Sequence, residues 1–155
     1  MGKNKLERFA ENKTFNNLFE YSFERLKNEG FPLKGRWKQD FFKNDNPIVL
    51  ELGCGKGEYT VGLARAHKDI NYIGVDIKGS RMWVGLCQAR NEGLSNVAFL
   101  RTHIELIDNF FAENEVDEVI IAGMGGILIS ELLEAKKSVA HNLDKLILQP
   151  MQAQD

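Results

Sequence analysis

The chain has 155 residues, 43% hydrophobic and 27% charged, with 20 Lys and Arg against 22 Asp and Glu for a formal net charge of −2. That length suits one ordinary domain, and no apolar run approaches the roughly 20 residues that cross a bilayer, so no membrane partner is expected. Two cysteines, Cys54 and Cys87, lie far from any Cys or His at ligand spacing, which argues against a disulfide framework or a zinc site. The charged N-terminus has no secretory apolar segment, and a cytoplasmic location is expected.

Residues 1–47 hold ten Lys or Arg against seven acids and nine of the fifteen aromatics, whereas residues 48–155 hold ten against fifteen. Basic and aromatic character together suits RNA contact or helix packing. Phe15, Phe19, Phe23 and Leu26 recur at helical spacing, which predicts one amphipathic helix ending near Gly30. After Pro47 come short apolar runs, Ile48–Leu52, Tyr72–Val75, Val97–Leu100, Val119–Ala122 and Leu146–Leu148. Between them Met82, Leu86, Ala89 and Gly93, and later Leu128, Leu132, Ala135 and Val139, keep helical spacing. Strands alternating with helices predict an α/β fold, a doubly wound and mostly parallel sheet of five strands. The expected division is an N-terminal helical extension over 1–47 and a ligand-binding domain over 48–155.

Directly after the first of these runs stands Glu51-Leu52-Gly53-Cys54-Gly55-Lys56-Gly57. A dinucleotide fingerprint needs a glycine at position 58, where this chain has Glu58, and a carboxylate there repels a pyrophosphate. S-adenosylmethionine carries no phosphate and two positive groups, so it tolerates acids. Glu51 can balance its ammonium, Gly53, Gly55 and Gly57 can lie against its methionine part, and Asp76, nineteen residues after Gly57, can accept the ribose hydroxyl protons. The alternatives are a strand-end acid capping a helix for Glu51 and a solvated loop residue for Asp76.

From Gly2 to about Glu118 the chain resembles the bacterial tRNA guanine-N7 methyltransferases. The residues that carry the resemblance are Gly2-Lys3-Asn4-Lys5, Arg8-Phe9, Pro47–Thr60, Tyr72–Arg81 and Asn91–Asn96. It implies a Rossmann-like methyltransferase fold, Glu51 and Asp76 as cofactor contacts, and the Asn96–His103 segment reaching the adenine, with His103 where family members often place an aspartate. From Val119 onward, Ile120-Ile121-Ala122-Gly123-Met124-Gly125-Gly126 and Leu146-Ile147-Leu148-Gln149-Pro150 are instead similar to the bacterial tRNA adenine-N1 methyltransferases, over 119–153. Two families meeting inside one strand imply a chimera joined at equivalent positions of a shared fold.

The resemblance implies tRNA as partner, with Lys3, Lys5 and Arg8 for phosphates and Gly123, Gly125 and Gly126 beside the acceptor base; the same glycines also suit a plain strand-to-helix turn. Both families continue beyond the fifth strand. The expectation is therefore a fold truncated there, with an open edge that favours a homodimer and a cofactor site that outlives turnover. Met82 and Trp83 are candidates to cover the adenine, with packing against the sheet as the alternative, while His67 and His141 lack any catalytic spacing. The rivals to a methyltransferase are a cofactor-binding module without turnover and a nicotinamide-dependent oxidoreductase.

Overall fold

The computed structural model describes residues 4–122 and 145–149. Its elements run α1 (Lys5–Asn12), β1 (Leu18–Glu20), α2 (Phe23–Glu29), a π-helical turn (Trp37–Phe42), β2 (Ile48–Leu52), α3 (Glu58–Ala66), β3 (Asn71–Asp76), α4 (Gly79–Glu92), β4 (Val97–Arg101), a 3-10 turn (Ile104–Asn109), β5 (Glu118–Ala122) and β6 (Lys145–Gln149). The strands lie in the order β1-β4-β3-β2-β5-β6, every neighbouring pair parallel. All five anticipated strands are present. The chain builds outward from β2 through β3 and β4, then returns to the other side of β2 with β5. This reversal leaves a crevice at the carboxyl ends of the central strands, the usual ligand position in open α/β sheets.

A sixth strand, β1, overturns the expected helix through Phe15–Leu26. Asn17 breaks that periodicity by offering its carbonyl to the Phe99 N–H at 2.8 Å and its amide to the Val97 carbonyl at 3.2 Å. Pairing with the free edge of β4 thus outweighs a helical stripe that has no such partner. Two shorter helices remain. Asn4 caps α1 by accepting the Glu7 N–H at 2.8 Å while Glu7 reaches back to the Asn4 N–H at 3.0 Å.

Because successive strand residues face opposite sides, β2 serves two cores. Ile48, Leu50 and Leu52 pack with Leu26, Phe31, Trp37 and Phe42 from the first 47 residues, where Trp37 stacks on Phe111 at 5.4 Å. Val49 faces α3 and α4, with Val61, Ala64, Met82, Leu86 and Ala89. Glu51, on the same side as Val49, is therefore carried into the interior under α3. The helix expected from Leu128 to Val139 lies outside the described residues.

Candidate cofactor-binding site

The glycine loop leaves β2 through three left-handed residues, Gly53, Gly55 and Gly57, with φ of 77°, 57° and 78°. Its first two N–H groups, of Gly53 and Cys54, both donate to the Val75 carbonyl, at 2.8 and 3.0 Å, which anchors the loop on β3. At Gly57 the need for glycine is steric as well: a Cβ would stand 2.5 Å from the fully buried Phe99 ring. Gly85 in α4 closes from the other side, donating to the Lys56 carbonyl at 2.8 Å where a Cβ would collide with that same oxygen.

Asp76 ties this loop to the next. Its Oδ2 accepts the Gly55 N–H at 2.8 Å, and its Oδ1 accepts those of Ile77 and Lys78 at 2.7 and 3.0 Å. Glu51 is only 5% exposed and accepts a hydrogen bond from the Thr60 hydroxyl in the first turn of α3. Burial pushes its carboxyl up from 4.5 to about 7; Thr60, through hydroxyl and backbone, opposes this, and the charge of Asp76 adds to it. A cation set beside Glu51 would restore the charged form. Burial also pushes the Cys54 thiol well above its ordinary range, so this cysteine is a poor nucleophile.

Beside Asp76 opens a cleft of about 400 Å³ lined by Ile77, Thr102, His103, Leu106, Tyr21 and Phe23 among others. The Thr102 hydroxyl in its wall is buried and has no hydrogen-bond partner. Arg101 braces the rim, donating to the Ile77 carbonyl at 3.0 Å and to Glu20 at 3.2 Å. A larger hollow, about 530 Å³, lies at the amino end of β4 between Phe15, Asn17, Arg90, Leu94 and Val97. It is remote from the loop and both acids.

The fold thus brings Glu51, Gly53, Gly55, Gly57 and Asp76 to one end of the sheet, with His103 exposed on the cleft wall. Arg8 is engaged by α4, donating to the Ser80 carbonyl at 3.3 Å and covering the Trp83 ring at 4.6 Å, while Lys5 lies 5.9 Å over Phe9. Met82 is buried in the sheet-side core and Trp83 donates to Glu11 at 3.0 Å under α1, so packing, not adenine contact, accounts for both. His67 is exposed at the end of α3. Lys3, Gly123, Gly125, Gly126 and His141 lie outside the described residues. Thr60 lies in the Pro47–Thr60 stretch and Phe99 and Thr102 in the Asn96–His103 stretch, but spacing singles out none of them, and their roles emerge only from the three-dimensional contacts.

A donor set of two acids on bare glycine backbone, with an unpartnered hydroxyl in an adjoining cleft, fits a cationic adenosyl ligand and fits a phosphate poorly. A family model described as "Putative methyltransferase" matches residues 45–122, half of the chain, and the chain belongs to that family. A second model, "tRNA (adenine(22)-N(1))-methyltransferase", matches residues 99–155. The chain is 60% identical over 119 residues, 77% of its length and 47% of the relative's, to a tRNA (guanine-N(7)-)-methyltransferase of Bacteroides fragilis. It is 61% identical over 119 residues to one of Christiangramia forsetii, covering 53% of it. The chain spans about half the length of these relatives. Among solved structures, a Streptococcus pneumoniae protein described as a "putative tRNA (m1A22) methyltransferase" superposes with a TM-score of 0.57 at 26% identity, over 68% of this chain and 47% of that one. The antibiotic-resistance methyltransferase Kmr has the same TM-score at 19% identity, over 86% and 67%, which shows the shared fold. Among the described residues no helix is long and apolar enough to cross a membrane.

Proposed function

We propose that this chain is the S-adenosylmethionine-binding part of a cytoplasmic tRNA methyltransferase directed at guanine N7. The observation that carries the reading is the bond from the Gly55 N–H to Asp76: the loop donor that a pyrophosphate would require is already taken by a carboxylate. Glu51 would hold the ammonium, Gly53, Gly55 and Gly57 the methionine part, and Asp76 the ribose, with one acceptor site left after the Gly55, Ile77 and Lys78 N–H groups. Ile77 and Leu106 would flank the adenine, with His103 at its edge. The cofactor supplies an electrophilic methyl group; the chain's own residues bind and orient it and keep its cationic end charge-matched. Because a ring nitrogen attacks with a free lone pair, alignment supplies most of the acceleration.

The relatives named as tRNA (guanine-N(7)-)-methyltransferases support guanine N7 and a tRNA partner. Lys3, Lys5 and Arg8 would meet phosphates, Arg8 on release from α4, and Gly123, Gly125 and Gly126 would border the base. The second family model favours adenine N1 as the other reading, and its overlap with the first over 99–122 supports a chimera joined within equivalent strands. Among the described strands β1 and β6 are the two edges, each paired on one side; a homodimer through the β6 edge is the assembly this reading expects. Incubation with unmodified tRNA and labelled methyl donor, followed by nucleoside analysis, tests the whole reading. The expected product is 7-methylguanosine; 1-methyladenosine would transfer the assignment to the second family, and no label with intact cofactor binding would leave a cofactor-binding module without turnover.

A further inference from the structure

Thr60 sits in the first turn of α3, 1% exposed, with its hydroxyl turned onto Glu51. A threonine inside a helix ordinarily returns its hydroxyl to the carbonyl four residues back. Here that carbonyl belongs to Lys56 and already accepts the Gly85 N–H, while the Thr60 hydroxyl bonds across to β2 instead. The hydroxyl thus ties the first turn of α3 to the buried carboxyl of β2.

Resting on the cofactor reading above, we propose that Thr60 is a positioning residue: its hydroxyl holds the Glu51 carboxyl in the orientation that meets the ammonium of the bound cofactor. Among the described residues, the charged or titratable groups that act on this pocket are Asp76 at the end of β3, Cys54 in the loop and Arg81 from α4; β5 meets Glu51 through Ile120, which is apolar. Asp76 and burial both disfavour the charge on Glu51, and Thr60 is the neighbour that favours it. Removing the hydroxyl leaves a carboxyl that ionises at higher pH and is free to turn away from the ligand. The defect must then be specific to ligands that carry an ammonium.

The test compares wild-type protein, Thr60→Val and Thr60→Ser for binding of adenosylhomocysteine and of methylthioadenosine, which lacks the amino-acid part. Valine matches threonine in shape, and serine restores the hydroxyl. At pH 7, Thr60→Val is expected to bind adenosylhomocysteine on the order of tenfold more weakly, with the loss shrinking toward pH 9. Methylthioadenosine affinity stays unchanged, and Thr60→Ser stays near wild type. Equal weakening of both ligands, or no change for adenosylhomocysteine, overturns the proposal. Wild-type protein that binds neither ligand overturns the cofactor reading itself, and this one with it.

Discussion

The two ends of the parallel sheet treat buried polar groups in opposite ways. At the amino end, among the described residues, the buried asparagines of the sheet are answered from within: the Asn96 amide donates to the carbonyls of Ala64, His67 and Ile70 at 2.9 to 3.1 Å. The fully buried Asn71 amide likewise donates to the Asn44 side chain at 2.8 Å and to the Asn46 carbonyl at 3.2 Å. At the carboxyl end Glu51 is held by Thr60 with no cation bonded to it among the described residues, and the Thr102 hydroxyl has no partner. Native interiors satisfy buried polar groups, so the end that leaves them short is the end built for a ligand.

The largest effect is expected at the amino end. Asn96→Ala strips three carbonyls of their donor and should cost about 4 kcal/mol of stability, measured by urea denaturation. A loss below about 1 kcal/mol would mean that water replaces the amide and the contrast between the ends is weaker than the geometry implies.

The next effect is a pH dependence. Glu51 ionises near 7 in the folded protein against 4.5 ordinarily, so its contribution to stability is complete below 4.5 and is lost as pH rises through 7. The amplitude is about 3 kcal/mol as an upper figure. Glu51→Gln should flatten the stability profile between pH 5 and 8 to that extent while abolishing adenosylhomocysteine binding. An unchanged profile would remove Glu51 as a poised acid.

The smallest effect has the opposite sign. Thr102→Val deletes a buried hydroxyl that satisfies nothing, so the ligand-free protein should gain up to about 1 kcal/mol, read as a higher Tm. Destabilisation would show that this hydroxyl already has a partner and that the cleft wall is complete without a ligand.

Much of this contrast can be read from the sequence on one side only. Strands buried on both faces appear as continuous apolar runs, so β2 through β5 stand out between Pro47, the glycines and the polar loops. The glycine loop, Glu51 and Asp76 are legible because their spacing is fixed by one strand–loop–helix unit and the strand that follows it. Thr60 and Thr102 are not legible, since one side chain's role depends on a neighbour brought in from another element. The stripe from Phe15 to Leu26 misleads for a related reason: its periodicity is genuine, but an open edge of β4 captures Leu18–Glu20 as a strand.

The central claim, that the carboxyl end holds a cationic adenosyl ligand against Glu51, is tested most directly by calorimetric titration of adenosylhomocysteine at pH 7 in two buffers of different ionisation heat. Glu51 is close to half protonated there, so binding is expected to release roughly half a proton per ligand, and Glu51→Gln to show neither release nor tight binding. Tight binding without proton release, undiminished in Glu51→Gln, would contradict the claim.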